Sequence, residues 1–273
     1  MIATFNRISN TLFDVVMAPF GHAHPAFDLV IWPAIMGVLA MAVYKAVSNQ
    51  KSLARVKSQI SMRLLEIRLF SHDILQVLRS TAMIVLKNFV YLGNHMLPMV
   101  IMFGPFVVIL AQLVANYAYD PSPPGSVELL HVQLDPDASV TARDAALAVP
   151  AGVALDAGPV ATADHQVFWR LRAEEPGDHV LRVSIGGETY EKGWAVGGDA
   201  RKVPLRRLRG LEAILYPGEP ALPGDGPVLA IELGMHPHAL GPLPAGELGI
   251  VLWTFGLSLV AGFAVKGVFG VTL

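Results

Sequence analysis

The sequence predicts a membrane α-helical fold, with three transmembrane helices and a cytoplasmic helical hairpin, joined to an extracytoplasmic all-β, sandwich-like domain. Three stretches that are almost free of charge, 25–47, 96–117 and 248–265, approach the length needed to cross a bilayer. A basic segment separates the first two stretches. Residues 118–247, which separate the last two, contain short runs of alternating apolar side chains that are typical of strands.

Composition sets the class of protein. Apolar residues make up 53% of the 273 residues and charged residues only 15%, whereas soluble domains carry about 25% charged residues. The chain has no cysteine, which excludes disulfides, thiolate metal sites and cysteine nucleophiles. Its sequence contains no phosphate-binding loop, dinucleotide fingerprint or hydrolase motif. We therefore expect a protein that is not an enzyme and needs no cofactor or metal.

Charge asymmetry predicts the orientation. Eight basic residues lie between Tyr44 and Asn88, opposed only by Glu66 and Asp73. Residues 118–247 instead hold 18 acidic and 10 basic residues, a net charge of −8. By the positive-inside rule the basic loop is cytoplasmic, so the N-terminus and 118–247 are extracytoplasmic. The predicted location is the inner (plasma) membrane, crossed three times.

The N-terminal segment 1–24 carries an apolar helical stripe, and we expect an amphipathic helix lying in the membrane interface. A cleaved signal peptide is the alternative. The first span is then 25–47, in which Trp32 and Tyr44 fit the aromatic belts and Lys45 can extend to the inner surface.

Residues 48–95 predict a basic helical hairpin. Leu53, Val56 and Ile60 share one helical face, and the segment 71–73 breaks the helix, where Ser71 is a possible cap. The basic residues predicted to face anionic lipid or a ribosome are Lys51, Arg55, Lys57, Arg63 and Arg68. The second arm is expected to run into the second span, 96–117, with little interruption.

The β domain is predicted within 118–247, before the third span at 248–270. The clearest signal is a hairpin formed by His179–Ile185 and Glu188–Val196 around Gly186-Gly187. Trp169 and Trp194 are expected in its core. The Pro- and Gly-rich stretch 217–245 is expected to be irregular.

Residues 44–116 resemble the insertase superfamily that includes YidC, its archaeal relatives and the third subunit of the ER membrane complex. The resemblance rests on Tyr44-Lys-Ala-Val-Ser-Asn-Gln50, the basic hairpin, Asn94-His-Met-Leu-Pro-Met-Val100 and Ala111-Gln-Leu-Val-Ala-Asn116. The layout is closest to the archaeal members. Two features depart from the pattern: the large domain between the second and third spans, and the lack of a basic residue in the middle of the first span.

The resemblance implies a polar, lipid-open groove that admits segments of nascent membrane proteins. Polar residues within spans are candidates for such a groove. The candidate groove-lining residues are Lys45, Asn88, Tyr91, Asn94, His95, Gln112 and Asn116. Headgroup contact is an alternative role for the cluster 88–95. Interhelical hydrogen bonding is an alternative for Gln112 and Asn116.

Two functions are open from the sequence. The first is a YidC-like insertase or chaperone that contacts the bilayer. The resemblance implies that its further partners are nascent membrane proteins or a ribosome. The second is a non-catalytic subunit of a larger membrane complex, with the outer domain as the module that binds other subunits. Binding of DNA is not expected for either.

Overall fold

The structure is a computed structural model that describes residues 2–17, 25–48, 50–138, 140, 145–198 and 202–270. The chain forms two compact units, each built from separate parts of the sequence. The sandwich unit comprises Met1–Val30 and Val107–Thr254, and the helical unit comprises Ile31–Phe106 and Phe255–Leu273.

The described residues include five α-helices. They are α1 (Ile2–Met17), α2 (Pro25–Val47), α3 (Gln50–Leu69), α4 (Ile74–Tyr117) and α5 (Glu247–Phe269). Of these, α2, α4 and α5 are long and apolar enough to cross a membrane, with mean hydropathy of 2.0, 2.3 and 2.1 in their most apolar windows. The three apolar helices predicted from the sequence are therefore confirmed.

Helix α4 merges two elements that the sequence analysis divides at residue 95. Its 44 residues run without a break through Pro98 and Pro105. At 1.5 Å per residue the helix is about 66 Å long, roughly twice the hydrocarbon thickness of a bilayer. One continuous helix therefore supplies both the second arm of the hairpin and the second apolar segment.

The α3–α4 hairpin turns at residues 70–73. Oδ1 of Asp73 accepts a hydrogen bond of 3.1 Å from the backbone N–H of Gln76, so Asp73 supplies the cap rather than the predicted Ser71, which is exposed. Leu53 and Val56 are buried, and the Glu66 carboxylate accepts hydrogen bonds from Arg63 and Ser80. These hydrogen bonds lower the pKa of Glu66.

The sandwich unit contains ten strands among its described residues. They are β1 (Tyr119–Asp120), β2 (Val127–Leu134), β3 (Ala146–Ala148), β4 (Val153–Ala161), β5 (Gln166–Ala173), β6 (Gly177–Ile185), β7 (Glu188–Val196), β8 (Arg206–Leu208), β9 (Val228–Leu233) and β10 (His236–Pro237). One antiparallel sheet has the order β4-β5-β2-β9-β8 and another the order β3-β6-β7. A two-stranded ribbon pairs β1 with β10.

Side chains from both larger sheets form one core, which confirms the predicted sandwich. Trp169 on β5 and Trp194 on β7 are each 1% exposed within it. The hairpin at Gly186-Gly187 joins β6 to β7 as predicted. The expectation that 217–245 is irregular is wrong in part, because β9 lies there and pairs with both β2 and β8. Its alternating apolar side chains are too few to stand out between Pro and Gly residues.

Helix α1 packs within the sandwich unit through its polar face. Asn6 and Ser9 are buried, and Nδ2 of Asn6 donates a 2.8 Å hydrogen bond to the carbonyl of Ala213 in the 3₁₀ helix Leu211–Leu215. Most of the apolar stripe faces outward, with Ile8 64% and Val15 67% exposed, whereas Phe13 is buried. Residues 18–24 of the predicted interfacial segment lie outside the described residues.

Candidate functional site

An apolar groove lies in the helical unit between α2, α4 and α5. It has a volume of about 550 Å³. Its described lining residues are Met36, Gly37, Ala40, Met41, Tyr44, His95, Pro98, Met99, Met102, Phe103, Phe106, Phe255, Ser258, Leu259, Gly262 and Phe263. On α2 the lining begins at Met36 and ends at Tyr44, so it follows the half of the helix nearer to the α3–α4 hairpin in sequence.

Close approach of α2 and α5 shapes one side of the groove. A Cβ atom added at Gly37 would lie 2.2 Å from the carbonyl oxygen of Ser258 and 2.8 Å from the amide nitrogen of Gly262. Only glycine permits the two backbones to pass this closely. The phenyl rings of Phe106 and Phe255 meet edge to face, with centroids 6.4 Å apart.

The groove has one polar end, where α2 meets α4. The hydroxyl of Tyr44 lies 2.7 Å from Nδ1 of His95, and the two rings stack with centroids 5.5 Å apart. Tyr91 contacts the imidazole of His95 from the edge. Nε2 of His95 is buried and has no hydrogen-bond partner among the described residues. This end can therefore satisfy a polar group, whereas the remaining lining is almost wholly apolar.

Methionine side chains form much of the groove lining on α2 and α4. Met36 and Met41 on α2 and Met99 and Met102 on α4 contribute four unbranched, polarizable side chains. Such side chains adapt to apolar partners of different shape, a property of promiscuous binding surfaces. The groove can accommodate apolar chains of several shapes.

Among the predicted groove residues, His95 lines the cavity. Tyr91 contacts His95, whereas the side-chain amides of Asn88 and Asn94 bond to the carbonyls of Ile84 and Val90, one turn earlier on α4. Lys45 is exposed, and its ammonium lies 5.9 Å from the centroid of the Phe269 ring. Tyr44, which is absent from the predicted groove-lining residues, supplies the partner of His95.

Gln112 and Asn116 belong to a polar network in the sandwich unit. Nε2 of Gln112 donates to Oδ1 of Asn10 at 2.9 Å and to Oγ of Ser9 at 3.2 Å. Nδ2 of Asn116 donates to the carbonyl of Gln112. Gln112 thus makes the interhelical hydrogen bonds proposed for it from the sequence, and its partner is α1.

The basic side chains of the hairpin occupy exposed positions on α3. Arg55, Lys57 and Arg68 are exposed, while Arg63 forms a 2.7 Å ion pair with Glu66. Lys51 lies in α3, but its side chain is outside the described part of the structure. The charges are spread along the helix, and their contact with anionic lipid or a ribosome stays a prediction.

One buried acidic group was missed by the sequence analysis. Asp28, near the start of α2, is fully buried and accepts a hydrogen bond from the hydroxyl of Tyr117 at the end of α4. Its Oδ1 has no hydrogen-bond partner among the described residues. A single acid at a helix start resembles an interfacial residue in sequence, and the signal that distinguishes it, a tyrosine 89 positions later, is not local.

The chain was compared with models of protein families, with curated proteins and with solved structures, and nothing matched. The fold combines three helices that are long and apolar enough to cross a membrane with a β-sandwich. The kinship with YidC-type insertases stays a prediction from the quoted residues.

Proposed function

We propose that this chain is an insertase-type chaperone of the plasma membrane, in which the apolar groove holds an apolar segment of a client membrane protein. The observation that carries the proposal is the groove between α2, α4 and α5, with its Met-rich walls and its polar end at Tyr44 and His95. The lining is more apolar than the groove expected from the sequence. The proposed role is therefore to hold apolar segments rather than to solvate polar ones.

The proposed orientation of the chain in the membrane follows from the distribution of charge. The α3–α4 hairpin is basic, so α2 and α4 would enter the membrane from the cytoplasm on that side, and the sandwich would lie outside. The groove would then occupy the cytoplasmic half of the bilayer, since its α2 residues lie between 36 and 44. A client arriving from the cytoplasm would meet the Tyr44–His95 end first.

The outward apolar face of α1 supports a membrane location for the start of the chain. Phe5, Ile8, Leu12 and Val15 are all exposed, while polar side chains on the other face of the helix, such as Asn6, form hydrogen bonds within the sandwich unit. Apolar side chains arranged in this way are typical of a helix lying at the acyl boundary of a bilayer. We propose that α1 lies in the outer interface.

Site-specific photo-crosslinking tests the proposed client site. A photoreactive residue at Met102, which lines the groove, should cross-link to a small membrane protein during its insertion. The matched control is Val260, an exposed position on α5 outside the lining. Depletion of the chain should also reduce insertion of that substrate. Unchanged insertion, or equal cross-linking at Val260, would reject the proposal.

The exposed tip of the hairpin favours a second candidate, a subunit of a larger complex. Large apolar side chains stand exposed on both sides of the turn, among them Leu69, Ile74 and Leu75 at 71%, 76% and 77%. At 1.5 Å per residue the tip is about 33 Å along α4 from His95, too far to re-enter the same bilayer if α4 is straight. Exposed apolar patches in water commonly mark protein interfaces.

Purification in mild detergent separates the two candidates. If the chain is a subunit, partners should co-purify and should be lost in the L69D/L75D variant. The Met62→Asp variant, which changes an exposed α3 residue away from the turn, should retain them. A chain that purifies alone would remove this candidate.

A further inference from the structure

Two lysines flank the polar end of the apolar groove. Lys45 directly follows the lining residue Tyr44, and Lys266 lies less than one turn beyond the lining residue Phe263. Nζ of Lys45 is 5.9 Å from the centroid of the Phe269 ring, and Nζ of Lys266 is 5.8 Å from the centroid of the Phe263 ring. Both ammonium groups thus lie beside aromatic rings of α5, and both lysines follow lining residues at the same end of their helices.

The helical unit offers these lysines little negative charge. Within 31–106 and 255–273 the sequence has nine basic residues and two acidic ones, Glu66 and Asp73. Both acids lie in the α3–α4 hairpin, where Glu66 pairs with Arg63 and Asp73 caps α4. In the part of the chain that the structure describes, no carboxylate lies within 4.0 Å of Lys45 or Lys266. The site therefore carries two uncompensated positive charges.

The dimensions of the groove fit one flexible chain. Its volume of about 550 Å³ is in the range of small-molecule sites, roughly 300–1,000 Å³. A helix of about 10 Å diameter that rises 1.5 Å per residue needs roughly 120 Å³ per residue, so the groove would enclose fewer than five residues of one. The lining of Met36, Met41, Met99 and Met102 can close around an acyl chain.

We propose that, between clients, the groove binds one acyl chain of an anionic phospholipid, with the phosphate held between Lys45 and Lys266. The chain end of the lipid would lie toward Phe106 and Phe255, and the headgroup would lie beside Tyr44 and His95. Basic positions between membrane helices on the cytoplasmic side are suited to anionic headgroups. The inference rests on the proposed membrane location of α2, α4 and α5, but it does not require insertase activity.

Native mass spectrometry of the full chain tests the lipid site. The chain is released from nanodiscs that contain equal amounts of phosphatidylglycerol and phosphatidylcholine with identical acyl chains. We expect one retained lipid, with phosphatidylglycerol favoured about tenfold or more, since each lysine contributes to the attraction. The K45Q/K266Q variant should lose this preference, and K45R/K266R should keep it.

Two further variants separate a built site from general attraction. R79Q/K87Q removes the same charge from the hairpin and should leave the retained lipid unchanged. Met102→Trp fills the groove without changing charge and should reduce retention of both lipids. Equal loss in R79Q/K87Q, or no preference in the unaltered chain, would overturn the inference. If lipid retention fails while client cross-linking at Met102 persists, only this inference falls.

Discussion

The ammonium of Lys202 donates a hydrogen bond of 3.1 Å to Oε1 of Gln112, so the segment between β7 and β8 is tied to α4. The same nitrogen donates to Oδ1 of Asn10 at 2.9 Å and lies 3.4 Å from Oδ1 of Asp14. One lysine therefore joins three parts of the sandwich unit: α1, the end of α4 and the segment before β8. Burial lowers the pKa of Lys202, and Asp14 opposes that change.

Removal of this lysine should loosen α1. The Lys202→Ala variant leaves Asn10 and Gln112 with fewer donors, and we expect a loss of about 1–3 kcal/mol. Thermal unfolding in detergent should show the loss, and trypsin should cleave after Arg7 more readily. Arg182→Ala, which breaks only an exposed ion pair with Glu191, is the control and should change little. Equal protection of Arg7 in both variants would contradict the role given to Lys202.

A buried ion pair inside the sandwich unit gives a second prediction. Lys192 is fully buried, and its ammonium bonds to Glu219 and, at 2.7 Å, to the carbonyl of Pro204. Burial lowers the pKa of Lys192, and the neighbouring Glu219 offsets only part of that change. The Glu219→Gln variant leaves the lysine without its counter-charge, and we expect destabilisation of about 3–5 kcal/mol.

A double-mutant cycle measures this coupling. The K192M/E219Q variant removes both charges and should be more stable than Glu219→Gln alone, because no unpaired ion is then buried. The measurement is the free energy of unfolding of the unaltered chain, of K192M, of E219Q and of K192M/E219Q. Additive effects would show that the pair is not coupled.

The contact of α2 with α5 predicts that substitution of two glycines will have very different effects on stability. Gly37→Leu forces a side chain against the backbone at Ser258 and Gly262, and we expect a loss of about 1–3 kcal/mol or more. Gly256→Leu is the matched control, because a Cβ there meets no atom within 4 Å. Melting temperatures in detergent should fall for the first variant only. A similar fall in both would mean that α2 and α5 do not pack closely at Gly37.

The sequence predicts the helices and the sandwich better than it predicts the site. Strands such as β6 and β7 alternate clearly around Gly-Gly, and α2 and α5 are apolar on all sides, so local patterns suffice. Helix α1 illustrates the limit. The apolar periodicity of the helix is visible in the sequence, but the sequence does not show that the face with Asn6 and Ser9 is the buried one.

The candidate site depends on contacts between residues far apart in the chain. His95 was a candidate because it is polar within an apolar helix, but its pairing with Tyr44 joins positions 51 residues apart. Lys202 stands in a basic stretch of the sequence, and the structure bonds it to residues 90 to 192 positions away. Single-sequence patterns carry no information on such pairings.

Acid should destabilise the sandwich through two carboxylates. A hydrogen bond from Arg209 lowers the pKa of Asp135, and one of 2.8 Å from Arg172 lowers the pKa of Asp156. Because the folded pKa values lie below the unfolded value of about 3.9, this stabilisation is complete above that pH and is lost as pH falls through the folded pKa values. The melting temperature should therefore decrease as the pH is lowered below about 4, and it should decrease less steeply in D135N/D156N. An unchanged slope in that variant would contradict the assignment.

Labelling of single cysteines from outside intact cells tests the central claim, that the α3–α4 hairpin and the sandwich lie on opposite sides of a membrane. The chain has no cysteine, so Ser58→Cys on α3 and Thr189→Cys on β7 each give one reactive site at an exposed position. A membrane-impermeant maleimide should modify Cys at position 189 in intact cells and at position 58 only after the membrane is opened. Modification of both positions in intact cells, or of position 58 alone, would contradict the account.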